Sequence, residues 1–320
     1  MRHLTSFATP DFPLHPSGAR QILVCPWKVA LRHMLDDETT MEESGAPADT
    51  GSAMHVAAAA FHRGSSIADS IEEMGRRTRD YPQADLADAA AMFLGYAQDP
   101  RNCSSPAGPW KSFPLIERTF QFSIAPHPTD PTGAPITIEM TSDHVVEDEY
   151  GRLFVRDIKT TKKEPAKMAA QYTYQVALYC IGVATELQRK VAGARLVFPR
   201  KYGKGPPANA PAHWSYPWGW DDLETIVEPV RFAVANMRRG IVHEFPTEDC
   251  TWCHQRSPEA CRPAIREFRL GNPPLLTLGY KRLEPDLRTA ADAPVGGAAY
   301  IEALRDQMSR LSGGFKMPGS

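Results

Sequence analysis

The chain has 320 residues, of which 42% are hydrophobic and 23% are charged, and this balance predicts a soluble globular protein large enough to bury a full core. No run of about 18 apolar residues and no apolar signal segment is present, so we expect neither a membrane span nor export, and we expect an intracellular, cytoplasmic protein. The net charge of −2 excludes a basic protein overall, but phosphate binding needs only local positive charge.

Hydrophobic periodicity and turn residues predict the elements in chain order. Residues 1–16 are expected to be an irregular N-terminus and residues 36–50 a loop. The predicted helices cover about residues 17–25, 27–35, 51–62, 66–77, 83–97, 165–187 and 222–240. The predicted strands cover about residues 114–124, 136–146, 152–158, 192–199 and 213–217.

This order places an antiparallel three-stranded meander before a long helix and a further strand. It predicts an α/β fold with a mixed central sheet flanked by helices. We expect one domain over residues 17–270, which includes N-terminal helices and a C-terminal segment rich in cysteine. Residues 271–320 are expected to form a tail with one amphipathic helix.

The segment from Asp143 to Lys159 carries the most chemical information. A turn signal at residues 147–151 separates two β-prone runs, which is typical of a hairpin and brings Asp143 and Asp157 to the same end. Side chains alternate along a strand, so Asp157 and Lys159 project from one face. Two carboxylates and an ammonium group therefore converge in an apolar setting, where they are costly to bury without a function.

Two interpretations of this hairpin remain open at this point. Paired carboxylates supply hard oxygen ligands for Mg²⁺ or Mn²⁺, which suits metal-assisted hydrolysis of a phosphodiester, with Lys159 beside the attacking water. Taken alone, the Asp157-Ile158-Lys159 triplet favours an exposed salt bridge on a surface hairpin, because such triplets are common and exposed ion pairs cost little.

A helix beginning near Pro165 places Gln175 and Tyr179 on one face, four residues apart. Asp143, the run from Asp157 to Thr160, and Gln175-x-x-x-Tyr179 resemble, in this order and spacing, the RecB-type branch of the PD-(D/E)-x-K nuclease superfamily. The resemblance implies a restriction-endonuclease-like core and a metal-dependent DNA nuclease, most simply an exonuclease on single strands or DNA ends.

The resemblance also implies roles for further residues. Gly51-x-x-x-His55 is similar to a family motif whose imidazole binds the metal. His55, Asp143, Asp157 and the backbone carbonyl of Ile158 would hold Mg²⁺ or Mn²⁺, and Lys159 would orient or deprotonate water. Gln175 would orient the site or contact DNA, and Tyr179 would support it. Glu117 is similar to a glutamate that supports the metal site without an assigned ligand role.

Clustered cysteines in an intracellular chain indicate a metal before a disulfide. Cys250 and Cys253 form a C-x₂-C pair, and Cys261 follows after seven residues. With Cys25 upstream, one cysteine precedes the core and three follow it, which is similar to RecB-like nucleases that carry a 4Fe–4S cluster. The last gap is longer than usual there, so zinc stays open as an occupant, with His254 as an alternative ligand.

Several basic residues near the hairpin are expected to crowd the site and to contact DNA: Arg156, Lys159, Lys162, Lys163 and Lys167. No phosphate-binding loop of the helicase type is present, so unwinding would require a helicase or recombination partner. The setting of DNA repair, recombination or phage replication stays open. Two other functions are compatible with the sequence: a catalytically silent DNA-binding or assembly protein of the same fold, and a zinc-bearing interaction module.

Overall fold

The computed structural model describes residues 3–35, 46–77, 84–102, 110–160, 165–199, 211–216 and 218–242. The predictions for residues 36–45, for the cysteine segment at 250–261 and for the tail at 271–320 therefore lie outside the described residues. The helices are α1 Pro16–Val24, α2 Pro26–Leu35, α3 Ala46–His62, α4 Ile67–Arg76, α5 Leu86–Gln98, α6 Pro165–Leu187 and α7 Trp220–Arg238. The strands are β1 Trp110–Ile124, β2 Ile136–Asp148, β3 Leu153–Ile158, β4 Val191–Phe198 and β5 Ala212–Tyr216.

The five strands form one mixed sheet in the order β1-β2-β3-β4-β5. Neighbouring strands are antiparallel except β3 and β4, which are parallel. A parallel pair needs a crossover connection, and α6 supplies it. Five of the six β3 residues are buried, as expected for a strand covered on both faces. The predicted α/β fold with a mixed sheet flanked by helices is confirmed.

Helices cover both faces of this sheet. On one face, α6 packs over the strands, and α1 and α7 pack beside it around buried residues such as Val176 and Leu178. On the other face, α3 and α5 enclose a second cluster that joins Met54 and Phe93 to Ile158. Within the described helices, none has the length and apolar character that crossing a membrane requires.

The N-terminal segment, predicted to be irregular, contains one short 3-10 helix, Leu4–Ser6, and packs against the sheet. Leu14 forms a parallel β-bridge with Ile138 of β2. The Arg238 guanidinium, at the end of α7, donates to the Phe7 carbonyl at 2.9 Å and pairs with Asp130 at 2.8 Å. Both charged side chains are fully buried, so this pair fastens the N-terminal segment to the body of the protein.

The sequence placed the start of α3 too late. The glycine at position 51 was interpreted as a helix boundary, but α3 begins at Ala46, with Asp49 in its first turn near the positive end of the helix dipole. Gly51 lies inside the helix, at a point where the Thr160 side chain comes so close that a larger residue would not fit without a shift. A Cβ atom at Gly51 would lie 2.5 Å from the Thr160 Oγ1. The glycine therefore marks a contact between α3 and the chain after β3.

Candidate metal centre and cleft

Three carboxylates lie in one row across neighbouring strands. The pairing of β2 with β3 ends at His144 and Arg156, and Asp143 and Asp157 are the next residues at that end. Glu117 lies between the β1 residues that pair with His144 and Ser142 of β2, on either side of Asp143. Glu117 and Asp143 both approach the His55 Nδ1, so the row concentrates negative charge at one end of the sheet. The predicted convergence of Asp143 and Asp157 at the end of the hairpin is present in the structure.

A bulge in β1 positions Glu117. Between the pairs Ser112–Val146 and Ile116–His144, β1 advances four residues while β2 advances two. Glu117 follows this irregularity with a φ of 48°, a left-handed conformation that a residue with a side chain seldom adopts. Bulges redirect side chains next to functional sites, and the conformation of Glu117 is consistent with that use.

His55 reaches the carboxylate row from α3. Its Nδ1 lies 3.3 Å from the Glu117 Oε1 and 3.6 Å from the Asp143 Oδ2. Its Nε2 lies 3.1 Å from the Ile158 carbonyl oxygen. Burial disfavours the charged imidazole, but Asp143 and Glu117 outweigh burial and raise the pKa of His55 to about 9. Oxygen atoms of Glu117, Asp143 and Ile158 therefore surround the His55 ring, and this site favours a positively charged group.

These donors fit a divalent metal. One ligand atom each from His55, Glu117 and Asp143 lies within 4.8 Å of the other two. Two carboxylates and a nearby carbonyl are the hard oxygen ligands that Mg²⁺ and Mn²⁺ prefer, and the imidazole would bind after losing a proton. Asp143 is held in place because its Oδ2 accepts the Ile158 N–H at 2.8 Å. Glu117, expected only to support the site, is one of the three clustered donors.

Asp157 and Lys159 form a buried ion pair beside this cluster. The Lys159 Nζ donates to the Asp157 Oδ1 at 3.0 Å, as the alternation along β3 predicts. The Asp157 Oδ2 is buried and has no hydrogen-bond partner among the described residues. Burial also raises the pKa of the Asp157 carboxyl. An unsatisfied buried oxygen is costly, and a cation near it would remove that cost. The exposed salt bridge of the alternative interpretation is excluded, because only 1% of the Asp157 side chain is exposed.

Residues of α6 lie beneath the ion pair. The Gln175 amide donates to the Tyr179 hydroxyl at 2.9 Å, and burial, with Asp157 adding to it, raises the pKa of Tyr179. Gln175 is 7% exposed, which favours an orienting role over direct contact with DNA. The Lys159 ammonium also lies 5.1 Å from the centre of the Tyr172 ring, an aromatic contact that the sequence did not indicate.

A polar cleft of about 660 Å³ opens beside the cluster. His55 and Glu117 line it, together with Lys159 and Tyr172. Its wall also contains two arginines that the sequence interpretation missed, Arg63 and Arg77. The signal for Arg63 was available, because it lies eight residues after His55 and thus near the same side of α3.

Arg156 was expected at the site, and this prediction is wrong. It is 1% exposed and belongs to the opposite face of the sheet, because it directly precedes Asp157 in β3. Its guanidinium donates to the carbonyls of Arg101 and Asn102, at 3.0 Å each. Lys162 and Lys163, and the side chain of Lys167, lie outside the described residues.

Of the four cysteines assigned to a cluster, only Cys25 is among the described residues. It caps the C-terminus of α1, is partly buried and is not in a disulfide. The other three, Cys250, Cys253 and Cys261, lie outside that part of the chain. The predicted cluster therefore stays a prediction.

The fold and the donor set together define an α/β protein with a candidate divalent-metal centre at the ends of neighbouring strands. The family model described as the PD-(D/E)XK nuclease superfamily matches residues 13–261, and the chain belongs to this superfamily. A search of curated proteins found no match. A solved structure, the crystal structure of SSO0001, shares 13% identity, with 73% of this chain and 91% of that chain covered and a TM-score of 0.31.

Proposed function

We propose that the protein is a Mg²⁺- or Mn²⁺-dependent DNA nuclease that acts as an exonuclease on single strands or DNA ends. One observation carries the proposal: Glu117, Asp143 and Asp157 form a row that His55 completes, beside a lysine and an open cleft. Membership of a nuclease superfamily supports hydrolysis of nucleic acid. The resemblance of the motifs to RecB-type enzymes supports the narrower exonuclease assignment.

The metal would be held by His55, Glu117 and Asp143, with the Ile158 carbonyl and the Asp157 Oδ2 as neighbouring oxygens. When bound, a divalent cation polarises a phosphoryl oxygen and lowers the pKa of a water molecule. The Asp143 carboxylate, fixed by the Ile158 N–H, keeps the donors in place before substrate arrives. Such preorganisation reduces the cost of reaching the transition state.

Lys159 supplies positive charge next to the donors. Asp157 accepts one of its three N–H groups, and the residue lines the cleft. The ammonium can therefore donate to a phosphoryl oxygen and stabilise the charge that develops during hydrolysis. Asp157 and Asp143 outweigh burial and raise the pKa of Lys159, so the ammonium form persists and the role of cation is favoured over that of base.

The experiment that tests this function compares cleavage of end-labelled single-stranded and duplex DNA by wild type and Lys159→Ala, with Mn²⁺, Mg²⁺ or EDTA. We expect metal-dependent degradation by the wild type and a loss of at least about 100-fold in the variant. Lys190→Ala is the matched control, since Lys190 is an exposed lysine just before β4, away from Asp157. The product ladder distinguishes an exonuclease from an endonuclease.

Two outcomes would contradict the proposed nuclease activity or its site. Folded wild type that binds DNA without cleaving it in any metal would indicate a silent DNA-binding or assembly protein. Equal cleavage by Lys159→Ala and wild type would refute the assignment of the site.

We also propose that Cys25, Cys250, Cys253 and Cys261 bind a 4Fe–4S cluster. The support is the order of the cysteines: Cys25 precedes the donor residues near the start of the superfamily match, and the other three follow them near its end. Metal analysis and the visible absorption spectrum of anaerobically purified protein test this. Zinc in place of iron, together with no nuclease activity, would favour the interaction module.

A further inference from the structure

The cleft combines a metal-binding donor set with basic side chains. Of the three clustered donors, His55 and Glu117 line it, and Lys159 and Glu73 line it as well. Along the same wall, α3 leads away from His55 to Arg63, whose N–H bonds to the Ala59 carbonyl and continues the helical pattern. Arg77, at the C-terminus of α4, adds a second guanidinium. Clustered carboxylates suit a cation, and guanidinium groups suit a phosphate.

Arg63 is fixed in position while most of its donors stay available. One guanidinium nitrogen donates to the Ile116 carbonyl at 3.1 Å, directly before Glu117. Among the described residues, the side-chain hydrogen bond of Arg63 goes to this carbonyl and not to a carboxylate, and Arg63 is exposed. A guanidinium has five N–H donors, so several remain for a bidentate contact with phosphate. Arg77 is 59% exposed and lies 3.6 Å from Glu73.

Arg63 lies within a few nucleotides of the donor cluster. Eight residues separate His55 from Arg63, about 12 Å along a helix, and the Arg63 guanidinium reaches back to the Ile116 carbonyl, directly before Glu117. The length of about 12 Å is therefore an upper limit, and at a rise of about 3.4 Å per nucleotide it spans at most about three to four nucleotides. Because the proposed exonuclease acts on single strands or DNA ends, a single strand is the ligand that this cleft would hold.

We propose that Arg63, with Arg77 beside it, binds backbone phosphates of single-stranded DNA within about three to four nucleotides of the bond that is cut. This inference rests on the proposed nuclease function, because that function places the scissile phosphate at the donor cluster. The DNA strand then lies along α3. Ala59, between His55 and Arg63, lines the cleft and leaves room for the DNA backbone because its side chain is small. Arg63 contacts phosphate and not bases, so the binding is independent of sequence.

The test is the dissociation constant (Kd) of a fluorescein-labelled 12-nucleotide single strand, measured by anisotropy in EDTA, which prevents cleavage. We expect Arg63→Ala to raise Kd about tenfold and to reduce the slope of log K against log salt by about 0.7, the value for one phosphate contact on a single strand. Adding Arg77→Ala reduces the slope by a similar amount again. Arg118→Ala is the matched control, because its guanidinium pairs with Glu186 on the far part of α6.

Strand length provides a second readout. In the wild type, Kd should improve as the strand grows from two to about six nucleotides, because only the longer strand reaches Arg63. Arg63→Ala should lose that improvement. If Arg63→Ala does not fold, Arg63→Gln keeps an amide donor for the Ile116 carbonyl and removes only the charge.

Equal Kd, salt slope and length dependence in the Arg63 and Arg118 variants would overturn the inference. So would a blunt duplex that binds as tightly as the single strand and is weakened equally by Arg63→Ala. Because the measurement needs no cleavage, the two proposals can fail separately. If the protein cleaves DNA but Arg63→Ala binds it as tightly as wild type, only the proposed phosphate contact at Arg63 is refuted. If binding depends on Arg63 but no DNA is cleaved, the phosphate contact is supported and the nuclease function fails.

Discussion

Gly51→Ala adds a single methyl group at the contact between α3 and the chain after β3. The new Cβ would lie 2.5 Å from the Thr160 Oγ1, about 0.9 Å inside the 3.4 Å at which ordinary contact begins. Alanine in a helix interior contributes about 1 kcal/mol relative to glycine. Overpacking costs about 1–3 kcal/mol. We therefore expect a net loss of about 0–2 kcal/mol in the free energy of unfolding.

The effect on catalysis should be larger than the effect on stability. Gly51 lies one helical turn before His55, and Thr160 directly follows Lys159. Relief of the clash separates the helix from the strand end, which moves His55 away from Glu117 and the Ile158 carbonyl. A misplacement of about 1 Å in a catalytic site can reduce the rate by about 100-fold. We expect a reduction of this order in DNA cleavage.

Two further variants make the reasoning testable. Thr160→Ala removes the clashing oxygen, so the double variant should recover most of the cleavage rate. Gly75→Ala is the control, because an added Cβ there meets nothing within 4 Å. It should keep wild-type cleavage and stabilise by up to about 1 kcal/mol. Urea unfolding and initial cleavage rates would be measured together. Wild-type cleavage by Gly51→Ala, or no recovery in the double variant, would refute the reasoning.

Three other outcomes are expected. Arg238→Leu leaves Asp130 buried without its partner and should reduce the free energy of unfolding by about 3–5 kcal/mol in urea, whereas Arg239→Leu, at an exposed position, should change it by less than about 0.5 kcal/mol. His62 and His144 stack with ring centroids 3.7 Å apart, and burial lowers the pKa of both well below 6.5. Both are therefore neutral in the folded and unfolded states above pH 6.5. Below pH 6.5 the unfolded chain takes up protons at these two histidines that the folded chain does not. The free energy of unfolding therefore decreases as the pH is lowered. The loss from this pair should approach about 3 kcal/mol by pH 5.5, and a pH series on His144→Gln should show about half of that slope; identical slopes would contradict the assignment. Finally, Mn²⁺ at 100 times its Kd should raise the free energy of unfolding by about 2.7 kcal/mol and EDTA should reverse the gain; a melting temperature that does not respond to Mn²⁺ would argue against a metal centre.

The sequence predicts the sheet and the connection of its strands well, because those signals are local. The turn at residues 147–151 and the alternation around it indicate the hairpin of β2 and β3, and the predicted bounds of α6, 165–187, coincide with the structure. Asp143 and Asp157 follow from that hairpin without any knowledge of tertiary contacts. The position of Lys159 beside Asp157 follows from the alternation of strand side chains.

Residues placed by tertiary contacts were harder to predict. Glu117 joins the donor cluster because of a bulge and a left-handed conformation. The residue types in β1 do not predict either feature. Gly51 was interpreted as a helix boundary because its close neighbour, Thr160, is distant in sequence. Arg156 was counted with the lysines although its position in β3 already directs it to the other face. That last error was avoidable from the sequence.

The bulge in β1 also constrains how this strand can vary in length. It contains two more residues than the facing part of β2. Leu115 and Phe122 pack in the same core cluster although they are seven positions apart, so the left-handed Glu117 between them shifts the alternation of side chains. Phe122 and Ile124, each 6% exposed, therefore keep their place in the core. A single inserted or deleted residue between the bulge and these positions would turn them to the other face. Length changes that preserve both the core and the orientation of Glu117 must come in pairs, so we expect relatives with a longer or shorter β1 at this point to differ by two residues.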